Sequence, residues 1–197
     1  MQRKSLIASL WCSLDHLAGL LKPMSGNDDF TIGLEQALAW IDVERHAMRG
    51  QFEVERGCFF NACAAVGNGN PIYWDDEAAA AITGGPSAPL TMLSAWFRPH
   101  YWMPGEDAIP LPWQTHFDLK QTLALPEAVA TDSEVVFGAL VRPGDRITSV
   151  ETLRSLSDVK TTRLGRGRFW VIDCLCRNQH GEWVGTETMT GFGYRKA

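Results

Sequence analysis

Gly67-Asn68-Gly69-Asn70-Pro71-Ile72-Tyr73-Trp74-Asp75, followed by the alanine run Ala78 to Ala81, is the stretch on which the reading of this chain turns. Cys58 to Val66 before it reads as a helix stopped by Gly67. Asp75 to Ile82 after it reads as a second, Ala-rich helix, with Asp75 placed to cap or orient its first turn. Between the helices the side chains can hydrogen-bond, but none ionises readily near neutral pH. The Asn68 carboxamide only donates and accepts. The Tyr73 phenol has an ordinary pKa of about 10, so it is a poor base at pH 7. Asp75 and Asp76 are the nearest carboxylates that could act as a base instead; the capping role suits Asp75 better.

Working outward, Leu34, Leu38, Ile41 and Met48 predict an amphipathic helix over 34–48. A short strand is expected at Gln51 to Arg56, between Gly50 and Gly57. Gly84-Gly85-Pro86 breaks the chain, and Ser87 to Trp96 reads as a helix apolar enough to be buried on most sides. Residues 97–116 read as irregular, with Pro99, Pro104, Pro110 and Pro112 among them. The apolar period then changes to two. Strands are expected at Glu134 to Leu140, Arg146 to Leu156, Arg168 to Arg177 and Glu182 to Tyr194, joined by tight turns. One buried helix followed by a long antiparallel sheet describes an α+β unit in which the sheet wraps the helix.

The chain has 197 residues, 45% apolar and 21% charged, with a net charge of −5. That is enough for a proper core, and it argues against a nucleic-acid partner, which calls for a basic face. Five cysteines form no CxxC pair or zinc spacing, so they read as core thiols in a reducing cytosol. Residues 1–30 read as an N-terminal extension or leader, with Leu10, Leu14, Leu17 and Leu21 on one face of an extra helix. Asp15 and His16 interrupt the apolar run, which is too short to span a bilayer, so no membrane partner is expected. Met24 is a candidate start, because the recognisable pattern begins after it.

The box resembles the signature of the MaoC-like (R)-specific enoyl-CoA hydratases, G-D-x-N-P-x-H-x-D followed by small residues. Asn68 stands where the family has its catalytic Asp, and Tyr73 where it has its His. Three further stretches are similar to the family, in particular to its fatty-acid-synthase-like, N-terminal dehydratase branch: Gly84 to Leu93, Val141 to Arg146, and Lys160 to Phe169. Together they cover roughly residues 50–195. The resemblance implies a hotdog fold, one such domain over 31–197, with the long antiparallel sheet around a central apolar helix. It also implies an activity, the reversible hydration of trans-2-enoyl-CoA. There the Asp and His position a water, and amides at the start of the central helix meet the thioester oxygen as it gains charge.

This chain keeps that frame without the acid–base pair. The expectation is therefore a non-catalytic partner subunit, with no intact catalytic residue, joined to a MaoC-like chain whose Asp/His motif is intact. The ligand is an acyl-CoA thioester, with a bulky or steroid side-chain acyl group considered; no separate cofactor and no metal are expected. Lys160, Arg163 and Arg166, with Arg168, are candidates for the coenzyme A phosphates. Gly84 and Gly85 are candidates to offer amides to the thioester or merely to shape the turn, and Tyr73 and Trp74 to line the degenerate pocket. Trp96, Trp102 and Trp113 are read as core or interface, and His100 and His116 as structural, with His116-Phe117-Asp118 noted for a function outside this scheme. The competing readings are a self-sufficient homodimeric hydratase or thioesterase, and a non-enzymatic acyl-CoA-binding hotdog.

Overall fold

Largely alternating burial in the C-terminal third marks two long strands, β5 (Gly165–Arg177) and β6 (Trp183–Arg195), which pair antiparallel along their whole length. The computed structural model describes residues 30–98, 102, 104–105 and 111–196. Strand β3 (Thr148–Leu156) pairs with β5, and β1 (Glu44–Arg49) with β3. Strand β2 (Glu127–Phe137) flanks β6, giving the order β1-β3-β5-β6-β2, while the short β4 (Lys160–Thr162) forms a hairpin with the start of β5. All these pairings are antiparallel. This is the α+β architecture expected, with the long antiparallel sheet that the resemblance implies.

Helices cover one face. They are α1 (Leu34–Leu38), α2 (Arg56–Ala65), α3 (Pro71–Trp74), α4 (Asp76–Thr83), a 3₁₀ segment (Leu90–Trp96) and α5 (Gln114–Thr122). The core beneath them divides into two clusters. One, at the Arg177 end of β5, gathers Phe59, Leu93, Phe97, Ile147, Cys176 and Val184. The other, towards the Gly165 end, gathers Leu119, Leu125, Leu153, Trp170, Ile172 and Met189. Trp113 packs against both. Packing is tight at Gly191, where an added Cβ would lie 2.1 Å from Trp170 Nε1 on the neighbouring strand and 2.8 Å from His116 Nδ1 on the covering helix. Trp170 Nε1 donates to the buried His116 Nδ1 at 3.1 Å, so His116 is a core residue as expected.

Several local expectations are corrected. The helix expected over 34–48 ends at Leu38; positive φ at Asp42 and His46 bends the chain, and the rest becomes β1 against β3. Pairing with a long strand overrides helical spacing there. The strand expected at Gln51 to Arg56 does not form; Gly50 and Val54 instead donate to Ile147 O and Asp145 O (2.7 and 2.8 Å). Helix α5 begins inside the stretch read as irregular. The apolar run Ser87 to Trp96 makes a 3₁₀ segment, with Leu93 buried while Leu90 and Ala95 remain exposed, so it is covered on one side only. Cys58 is exposed, unlike the buried Cys63, Cys174 and Cys176. The expected N-terminal helix, Met24, Cys12 and His100 lie outside the described residues. No described helix is long and apolar enough to cross a membrane.

Candidate functional site

The Gly67–Asp75 box folds on itself. Gly67 takes positive φ after α2, and Asn68 N–H donates to Cys63 O at 2.8 Å. Asn68 Oδ1 accepts the Asn70 amide (3.1 Å), and Asn68 O accepts Trp74 Nε1 (2.8 Å). Asn70 Oδ1 accepts the Ile72 amide (3.2 Å), which caps α3, where Pro71 fills the first turn without missing a donor. Asp75 Oδ1 accepts from Glu77 and Ala78 (2.8 and 3.3 Å), the helix-capping role expected of it. Arg56 grips Asp76 through two bonds (2.6 and 3.2 Å), which makes that carboxylate an ion-pair partner. Trp74 stacks on Phe60 with centroids 5.1 Å apart.

Tyr73 is half-buried, and burial, followed by nearby Cys63, raises its phenol above the ordinary value. Less of it is therefore ionised at neutral pH than of a free tyrosine. Burial likewise raises Cys63. Chemically the box is a hydrogen-bonded turn with one half-buried phenol and one helix-capping carboxylate.

Gly84 takes positive φ as the C-cap of α4, and the amides of Gly84 and Gly85 both turn back to Ala79 O. Arg142 fixes the far side of this turn by donating to Thr83 O, Gly85 O and Pro86 O (2.6, 3.2 and 3.3 Å). Both amides are thus engaged in closing the helix.

The basic residues lie elsewhere. Lys160 is on β4, Arg163 in the β4–β5 turn and Arg166 early in β5, all exposed, with Arg166 over the Phe30 ring at 5.3 Å. Arg168 is buried and donates to Ser157 O (2.7 Å) and Phe30 O (3.2 Å), so it is a structural clamp and not an exposed phosphate contact. The box packs with α2 over the opposite end of β5. Thirteen residues of strand separate these ends, roughly 40 Å at the usual rise, so one chain does not bring the two candidate groups together. Of the three tryptophans, Trp96 meets Phe59 edge-to-face at 5.7 Å and Trp113 packs in the core, whereas Trp102 is exposed.

The structure also joins residues that sequence reasoning did not connect. Asp118 on α5 receives His46 Nε2 (2.7 Å), Arg45 (2.9 Å) and Gln114 (3.0 Å). Burial alone would raise this carboxyl, but the bonds from Gln114, His46 and Arg45 outweigh it and hold it below the usual value. With three donors on its two oxygens, Asp118 acts as a clasp between α5 and β1. The His116-Phe117-Asp118 run was its one signal; nothing in the sequence marks His46.

Residues 41–187 match the family described as FAS1-like, dehydratase domain region. The chain belongs to this family, among the MaoC-like dehydratases. A Thermomonospora curvata protein described as a probable enoyl-CoA hydratase alpha subunit is 37% identical over 147 residues, 71% of this chain. The chain spans only 44% of the length of that relative. A chain of the Mycobacterium tuberculosis ChsH1-ChsH2 complex superposes with a TM-score of 0.70 at 24% identity, covering 87% of this chain and 94% of that one. The MaoC-like dehydratase from Rhodospirillum rubrum superposes at 0.51 with 18% identity, covering 77% and 92%. At these identities the two structures speak for the fold. In this MaoC-like chain the Gly67–Asp75 box lies between α2 and α4, with Asn68 in the turn before α3 and Tyr73 within α3.

Proposed function

We propose that this chain is the non-catalytic partner subunit of a heteromeric MaoC-like enoyl-CoA hydratase, which reversibly hydrates trans-2-enoyl-CoA. The observation that carries the reading is the box itself. Asn68 spends its side-chain oxygen on the Asn70 amide, and Tyr73 has a phenol pushed away from neutral pH. The similarity to an enoyl-CoA hydratase alpha subunit supports it, because a subunit so described implies a companion chain. The likeness in fold to a chain from a two-protein complex points the same way.

In this reading the partner is a MaoC-like chain with an intact Asp/His motif, which supplies the proton transfers. Strand β2 suits the seam. It is an eleven-residue sheet edge, paired on one side with β6, and Val136 and Phe137 are exposed near its end. A free edge of that length is a ready template for pairing with a second sheet. Tyr73 and Trp74 would line a wall of the acyl tunnel; Lys160, Arg163 and Arg166 would meet coenzyme A phosphates; the Gly84–Gly85 turn would shape the wall. Coenzyme A enters as part of the substrate, with no other cofactor. An emptied half-site leaves room for a bulky acyl group, such as a steroid side chain.

The test is substitution in the assembled pair. Asn68→Ala and Tyr73→Phe should each lower turnover by less than about tenfold, whereas removal of the partner's motif Asp should cost about a thousandfold or more, the scale of a lost general base. Abolished turnover in either variant of an intact complex would overturn the reading.

A further inference from the structure

At the β1 edge of the sheet, opposite β2, three arginines face one cleft of about 390 Å³. Arg49 ends β1, Thr148 begins β3 opposite it, and Arg177 ends β5 opposite Thr148. Residues directly opposite in a sheet point to the same side, so Arg49, Thr148 and Arg177 form one cross-strand row. Their neighbours Ser149 and Cys176 are buried under the helices, which puts the row on the uncovered face. Arg146 enters from the turn before β3, and Asn178 and Gln179 from the β5–β6 turn complete the rim.

The charges here are poorly balanced. The Arg49 side chain makes no hydrogen bond or ion pair with any described residue. Arg177 donates to one backbone oxygen, Gly181 O at 2.9 Å, and meets no described carboxylate. Arg146 is paired with the exposed Glu53 at 3.3 Å and with Gln51 O. Nearby Asp145 and Glu182 are bonded to Gln179 and Asn178, and no carboxylate lines the cleft. This local excess of positive charge stands on a chain whose net charge is −5.

We infer that this cleft binds an oligophosphate anion, such as a pyrophosphate or a phosphorylated ribose. Guanidinium forks match phosphate oxygens two at a time, and a row of two with a third at its end spans adjacent phosphate groups. The lining is arginine, amide and hydroxyl with no aromatic ring, so recognition rests on phosphate and polar sugar and not on a stacked base. The site is distinct from the Lys160–Arg166 hairpin, which lies at the other end of β5. It is also independent of the hydratase reading.

The test is calorimetric titration of the full chain with inorganic pyrophosphate, adenosine 3′,5′-bisphosphate and adenosine, at low and high salt. Both phosphate compounds should bind, more weakly at high salt, and adenosine should not. Arg49→Gln and Arg177→Gln should each weaken binding about tenfold, with thermal midpoints unchanged, and Arg154→Gln, which removes an exposed arginine paired with Asp42 elsewhere on β3, should bind as wild type. Equal affinity for the two phosphates would mean that phosphate alone is read, and tighter binding of the bisphosphate that the sugar is read too; both support the site. Absence of binding at millimolar phosphate, unchanged affinity in Arg49→Gln, or an equal loss in Arg154→Gln would overturn it. No turnover is measured, so failure here leaves the hydratase reading standing.

Discussion

Asp75 accepts two amides at the start of α4 from an exposed position. Its replacement by Ala should cost about 1 kcal/mol, as loss of an N-cap does, read as a lower urea midpoint; Asp75→Asn should keep most of it. His116 makes a pH-dependent contribution. Burial first, then Lys120, lowers its pKa, so the fold holds the ring neutral. Stability from this residue is full above the ordinary value of about 6.5 and falls as pH drops from there towards the folded value, where only the unfolded chain takes up the proton. His116→Gln should flatten that part of the curve between pH 7 and 5.5, measured by denaturant midpoints. At this scale the sequence was readable where bonds are local. Asp75 and its amides are three residues apart at most, whereas the His46–Asp118 contact joins residues 72 apart and no pattern announces it.

Helix α5 is held from outside itself. Glu151, on β3 and almost wholly buried, accepts the Gln114 and Thr115 amides at 3.0 and 2.8 Å. A carboxylate at a helix N-terminus is favourable, and removing it strands buried donors. Glu151→Ala should cost about 2–4 kcal/mol and speed amide exchange throughout α5 before the rest of the sheet opens. Gly191→Ala should cost about 1–3 kcal/mol by forcing Trp170 aside, seen in the same denaturation series. These tertiary ties explain what the sequence hid. QTHFDLKQT buries only Thr115, His116 and Leu119, too few for an apolar stripe to appear. Strands β5 and β6 were legible because their alternation follows from one face lying on a continuous core. The start of β2 was missed because Glu127 to Ser133 mixes polar with small apolar residues and lies half-buried to exposed, as a sheet edge can.

The whole molecule presents a hotdog sheet with one long free edge and a box whose polar groups serve the backbone. Replacing Val136 and Phe137 on β2 by Lys should abolish co-purification with the partner. The isolated chain's midpoint should shift little, since both side chains are already exposed. The frame of the site was legible in the sequence through its glycines, Pro71 and Asp75. The placing of the box and the Lys160 hairpin towards opposite ends of β5 was not, because spacing along a chain says nothing about which end of a strand each loop occupies. The most direct measurement is the rate of hydration of a trans-2-enoyl-CoA by this chain alone, against the same chain assembled with a MaoC-like subunit that carries Asp and His. Turnover is expected from the assembled pair and only background rate from the single chain. Sustained turnover by the single chain, abolished by a substitution within it, would contradict a non-catalytic role.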